Sequence, residues 1–260
     1  MLASENNNNL NNLGIVFISP IIGLTKSMMD VFDPIVKEGA FVVGVDIFDD
    51  SYEKKTFWKV LKLTVLPGAY QRRIKFANSF PESRVFDKIE EGIKECLSRG
   101  KSKIVLGGMS GGFVFAGRVV QEPSDEEIKK HSVRNLKNHI VGLFGISPLI
   151  FYPQGVVRPA VKLEHIPPNI RTLLFICDDD EIVPEGTLEY AIDISEKYKN
   201  VETKCLNCED FNNGLKPLKH NFFGGKDFIG FMKNRFWHPE AERCVLEHKM
   251  EFFKKMASYN

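Results

Sequence analysis

The sequence predicts a doubly wound α/β fold, a mostly parallel sheet of about six strands with helices on both faces. Short, β-branched apolar runs recur along the chain, bounded by Gly, Pro, Asp or Ser. They are continuous rather than alternating, which marks strands buried on both faces, as in a parallel sheet. Stretches of helical period lie between the runs, and strand followed by helix throughout is the pattern of a parallel, crossover-connected sheet.

The expected strands are GIVFISP (14–20), FVVGVDIF (41–48), KIVLGGM (103–109), HIVGLFGIS (139–147), RTLLFICD (171–178) and VETKCLNC (201–208). The expected helices span 25–38, 82–98, 111–121, 185–198 and 239–256. In the second of these, Val85, Ile89, Ile93 and Leu97 fall four apart and form one apolar face, opposite a face of Lys and Glu. In such a sheet ligands bind at the carboxyl ends of the strands, so the chemistry belongs in the loops that follow them.

Residues 1–13 are Asn-rich and polar and read as a disordered tail, with a single domain over 14–260. Two excursions interrupt the alternation. Residues 51–79 carry Lys54, Lys55, Lys59, Lys62, Arg72, Arg73 and Lys75 against one acid, Glu53, and form either a solvated amphipathic face or a seat for an anionic substrate group. Residues 149–169 hold four prolines and read as an irregular excursion. Either could roof a site.

At 260 residues, 43% hydrophobic and 27% charged, the chain is globular in composition and large enough for a sizeable core. Its formal charge of +1 provides no global field to recruit nucleic acid or an anionic bilayer. No window approaches the roughly 18 consecutive apolar residues of a membrane span. The opening MLASENNNNLNNL has no basic n-region or apolar h-region, so a cytoplasmic location is expected. Five cysteines, an odd number, suit reduced thiols better than a disulfide framework. Cys205 and Cys208 have CxxC spacing, but no second pair or His tract accompanies them, and they read as one strand and its exit. No metal and no organic cofactor is expected.

The strand KIVLGGM runs directly into Ser110 and then into GGFVFAGRVV, so Gly108-Met109-Ser110-Gly111-Gly112 is a GxSxG pentapeptide between strand and helix. A serine on so sharp a turn takes a strained backbone conformation. The chain then passes so close to the positions two before and two after that a Cβ would collide there, and glycine meets that need. The turn lifts the hydroxyl over the sheet end and sets the amide of Gly111 beneath any oxyanion formed on attack.

A serine hydroxyl needs a base, and the base needs an orienting carboxylate. Both should follow the serine, acid first. RTLLFIC ends in Asp178-Asp179-Asp180-Glu181-Ile182-Val183-Pro184, where Asp180 is the chosen acid and Asp178 the alternative. His131, His139 and His165 precede this turn, and His248 lies inside the last helix. His220, in the late loop GLKPLKHNFFGG, is the chosen base, with His238 the alternative.

GGMSGG, DDDEIVP and KHNF, in that order, make the chain resemble the α/β-hydrolases, especially the small esterases, acyl-thioesterases and dienelactone-hydrolase-like members. The resemblance spans about residues 14–256. It implies Ser110 as nucleophile, Asp180 as orienting acid, His220 as base and a core lacking the family's first two strands. Many members carry His-Gly after the strand that opens this chain, whereas Ser19-Pro20-Ile21-Ile22-Gly23 stands here. Pro20 has no N–H, so the second oxyanion donor would be Ile21 or Ile22, partnering Gly111. Lys219 stands where the family usually has glycine before the histidine. Met109, Phe151 and Tyr152 are candidates by position to line an acyl pocket, as is Phe113, for which simple core packing is an equal reading.

The expectation is a serine hydrolase cleaving a small-molecule carboxylic ester or thioester through an acyl-enzyme, with no nucleic-acid partner and no stable membrane insertion. The alternatives are a non-catalytic scaffold binding a small ligand or protein, and an acyltransferase or C–C hydrolase on the same triad.

Overall fold

The computed structural model describes residues 10–20, 23–47, 67–79, 81–151, 154–156, 159–178, 180, 183–207 and 239–259. Six strands, β1 (Leu13–Ile18), β2 (Phe41–Val45), β3 (Lys103–Met109), β4 (Ile140–Ile146), β5 (Arg171–Cys177) and β6 (Val201–Leu206), form one sheet in the order β2-β1-β3-β4-β5-β6. Every pairing is parallel. The order reverses direction beside β1, the kind of switch point that opens a crevice at the strand ends.

Period-two alternation sorts the strand side chains into two cores. Val16, Ile18, Ile104, Leu106, Leu143, Leu174 and Ile176 face one, while Ile15, Phe17, Val105, Phe144, Leu173 and Phe175 face the other. The first core is covered by α4 (Glu82–Ser98), α5 (Gly111–Val120) and α7 (Thr187–Lys197), the second by α1 (Lys26–Asp30), α2 (Asp33–Lys37) and α8 (Pro239–Ser258). Helices therefore cover both faces, as the continuous apolar runs required. On α4, Val85, Ile89 and Ile93 are fully buried and Leu97 packs at the margin, which is the face the four-residue spacing predicts.

Three elements differ from the sequence reading. The helix expected over 25–38 is split into α1 and α2. Thr25 caps α1 by accepting from the Met28 N–H, and Pro34, in the first turn of α2, has no N–H to carry one hydrogen-bond ladder across the break. Part of the basic excursion is helical, α3 (Ala69–Ser79). The tail also gives way to ordered structure before residue 13. Leu10 and Leu13 are fully buried, the Leu10 N–H donates to the Glu38 carbonyl, and Lys101 Nζ donates to the Asn11 carbonyl. Two leucines spaced three apart supply apolar surface that a composition dominated by asparagine conceals.

A short helix α6 (Glu126–Lys130) and a 3-10 segment Ser132–His139 fill the connection from α5 to β4. Asp125 caps α6 by accepting from the amides of Glu127 and Ile128.

Candidate active site

Ser110 stands between the last residue of β3 and the first of α5, with φ 52° and ψ −124°. Positive φ is uncommon for a residue with a Cβ, and here both strand and helix impose it. Its N–H donates to the Ile146 carbonyl at 3.0 Å, and its own carbonyl accepts from the amides of Phe113 at 3.2 Å and Leu149 at 3.1 Å. The serine is thus pinned between β4, the first turn of α5 and the chain leaving β4.

The flanking glycines meet a steric demand. A Cβ on Gly108 would lie 2.3 Å from the Phe113 amide nitrogen, and one on Gly112 would lie 2.4 Å from the Ile18 carbonyl oxygen. Both obstacles are backbone and cannot rotate away. Gly111, by contrast, has open space around the position of a Cβ. It is the first residue of α5, whose opening amides have no partner within the helix and lie at its positive end.

The end of β1 lies against this turn through the Ile18 and Ser19 carbonyls beside Gly112. The Ser19 hydroxyl accepts from the Ile47 N–H at 3.2 Å, joining the ends of β1 and β2. Gly23, at φ 92°, donates to the Pro20 carbonyl. Ile21 and Ile22, the candidate second oxyanion donors, lie outside the described residues.

After β5, Asp178 still follows the strand, its N–H donating to the Leu206 carbonyl, and its side chain is exposed. Asp180 is half-buried, and its Oδ1 accepts from the Val183 N–H at 3.2 Å. That bond anchors the Asp180 carboxylate to the backbone just ahead of Pro184. Asp180 and Ser110 follow strands separated only by β4. His220, its alternative His238, and Tyr152 lie outside the described residues. His248 is half-buried on α8 with its ring 6.3 Å from that of Phe175.

Met109 is fully buried in the core bounded by α1, α2 and α8, and Phe113 in the opposite core. Phe151 lies at the margin of the latter, its ring 4.9 Å from Tyr190. Among the described residues no group of three or more His, Cys, Asp or Glu side chains is placed to hold a metal ion. Cys205 lies on β6 and Cys208 outside the described residues; Cys96 is buried, and desolvation pushes its thiol up to about 12.

The sequence reading missed what anchors the far end of α5. Arg118, fully buried, donates to Asp125 Oδ2 at 2.7 Å and to Glu82 Oε1 at 2.6 Å, with its guanidinium 5.2 Å from the Phe86 ring centre. Burial works against the Arg118 cation, but hydrogen bonds to Asp125 and Glu82 hold it charged. Burial likewise opposes the Asp125 carboxylate, and the bond and charge of Arg118 bring it below its ordinary range. The only sequence signal is one arginine in an otherwise apolar helix.

No protein-family model and no curated protein matches the chain by sequence. Solved structures do match it. A candidate dienelactone hydrolase from Klebsiella pneumoniae subsp. pneumoniae MGH 78578 superposes with a TM-score of 0.58 at 10% identity, over 96% of this chain and 89% of that one. A dienelactone hydrolase-like promiscuous phosphotriesterase from metagenomic libraries gives 0.57 at 12% identity, over 94% of this chain and 86% of that one. Esterase 2 of Thermogutta terrifontis, phosphoramylated by tabun, gives 0.56 at 14% identity, over 98% and 86%. The chain therefore has the α/β-hydrolase fold shared by these structures.

Proposed function

We propose that the protein is a cytosolic serine hydrolase that cleaves a small-molecule carboxylic ester or thioester. The observation that carries this reading is the backbone of Ser110: a left-handed serine between a parallel strand and a helix, flanked by two glycines whose Cβ positions are occupied by backbone. Strain at a polar residue, held from three sides, points to function rather than packing.

In the proposed reaction Ser110 Oγ attacks the carbonyl carbon while His220 takes its proton. The tetrahedral oxyanion is held by the N–H of Gly111 and that of Ile21 or Ile22. Collapse breaks the bond to the alkoxide or thiolate, which leaves with the proton from His220. Water then attacks the acyl-enzyme with His220 as base, releasing the acid and regenerating Ser110. Asp180, anchored by Val183, orients His220 and stabilises its cation. Phe151, at the margin of the α4–α5–α7 core, and Tyr152 are proposed for the acyl side, whereas Met109 is packed in the opposite core. The cycle needs no metal or organic cofactor.

The structural neighbours support this reading by the activities their names carry, dienelactone hydrolase, phosphotriesterase and esterase, all attack on an acyl or phosphoryl centre. The test is turnover of p-nitrophenyl esters and matched thioesters by the wild type, Ser110→Ala and His220→Ala, with products analysed in water and with added thiol or alcohol acceptors. Turnover abolished in both variants, with free acid as product, is expected. Acyl transfer to the acceptor in preference to water would make the protein a transferase. A folded wild type without turnover would leave a binding scaffold.

A further inference from the structure

Strands β3 and β4 end alike. Gly108-Met109-Ser110 closes one and Gly145-Ile146-Ser147 the other, and the register pairs Gly108 with Gly145 and Met109 with Ile146. The two serines are therefore the next step of neighbouring strands. They are also the two residues other than glycine with positive φ among the described residues, at 52° for Ser110 and 42° for Ser147.

Ser147 is harder to account for by packing than Ser110. It is fully buried, and its hydroxyl has no hydrogen-bond partner among the described residues. A buried hydroxyl without a partner is costly, and so is a left-handed Cβ. The cost is compounded by Pro148, since a residue before proline is pushed toward extended backbone. Glycine would relieve the conformation and remove the hydroxyl at once. Its backbone is otherwise well tied, the N–H donating to the Phe175 carbonyl at 2.8 Å, and two residues on, Leu149 donates to the carbonyl of Ser110.

The position gives this hydroxyl a place in the chemistry. The sheet order sets β4 between β3, which carries Ser110, and β5, which runs into Asp178 and Asp180. The oxyanion side, where Gly112 meets Ile18 and Ser19 of β1, is on the other flank of Ser110. Ser147 therefore follows the strand that separates the nucleophile's strand from the strand leading to the proposed acid.

We propose that Ser147 is a positioning residue for the acid–base half of the Ser110 site, keeping a strained backbone and an unpaired hydroxyl so that the hydroxyl bonds only when the reacting groups assemble. This rests on the serine-hydrolase reading. The hydroxyl acts on the geometry of proton transfer, so it serves the transition state rather than substrate binding.

The test measures thermal stability and ester kinetics of the full chain as wild type, Ser147→Ala and Ser147→Gly, after Ser110 labelling by a fluorophosphonate is confirmed. Ser147→Gly is expected to melt about 2 °C or more above wild type, because the strain and the desolvated hydroxyl are both gone. In both variants kcat is expected to fall at least about tenfold with KM within about twofold, the split that marks an interaction made only in the transition state. A merely structural serine would lower stability when removed and leave kcat alone. Unchanged kcat, or loss of stability in the glycine variant, overturns the inference while leaving the hydrolase reading intact. Absence of labelling and turnover in the folded wild type overturns both.

Discussion

Gly112 lies against the carbonyl of Ile18 so closely that a single added methyl would come within 2.4 Å of that oxygen. This contact ties the helix that begins after Ser110 to the strand whose following loop is proposed to complete the oxyanion hole. Gly112→Ala is therefore expected to push α5 away from β1. A loss of about 3 kcal/mol or more is expected in urea unfolding, along with loss of fluorophosphonate labelling. Gly111→Ala, with open space at its Cβ, serves as the control and is expected to fold like wild type.

Arg118 joins α5 to Glu82 on α4 and to Asp125 ahead of α6. Arg118→Met leaves two carboxylates near the interior without their cation, so destabilisation of about 3 kcal/mol is expected in denaturant melts. Asp125→Ala removes both the ion pair and the cap of α6. The two effects share one network, so the double variant is expected to lose less than the sum of the singles.

Lys249 on α8 is fully buried with its ammonium 4.1 Å from the Phe32 ring centre and 5.5 Å from that of Phe144. Desolvation lowers its pKa from 10.5 to about 7, against the opposing pull of Glu242 on the same helix. The unfolded chain then binds more protons than the folded one between those values, so this group makes stability rise with pH from about 7 to 10.5. The contribution is complete above the upper value and lost as pH falls through the lower. The slope is at most about 1.4 kcal/mol per pH unit. Lys249→Met is expected to flatten that slope and to be more stable than wild type at neutral pH, as read from urea midpoints across the range.

Asp180→Asn keeps a side-chain oxygen that can accept from the Val183 amide, so its turn is expected to persist and its melting temperature to stay within about 2 °C of wild type. Without the charge, the base loses its orienting partner, and kcat for ester hydrolysis is expected to fall by about 10³ or more. Asp178→Asn, changed at an exposed side chain, is expected to retain wild-type turnover.

The sheet was legible because each strand is buried on both faces, and a run such as IVFI or LLFI leaves no doubt about its surroundings. The elbow was legible because a strand–turn–helix this tight demands glycine on both sides of the serine, against the turn's own backbone at Gly108 and against β1 at Gly112. Arg118 and Ser147 were not, since their roles come from partners or neighbours on separate elements. Leu10 and Leu13 escaped for a different reason: two apolar residues among asparagines carry little weight in composition but bury completely against the fold. The broken helix at Pro34 was marked by a residue whose effect on the ladder the periodicity overrode.

Whether Ser110 is the nucleophile is tested by covalent labelling of the purified protein with a fluorophosphonate, followed by peptide mass spectrometry to locate the adduct. One equivalent is expected on Ser110, none in Ser110→Ala, and strongly slowed labelling in His220→Ala. A folded wild type that takes up no probe, or takes it up equally in Ser110→Ala, would contradict the assignment of Ser110 as nucleophile.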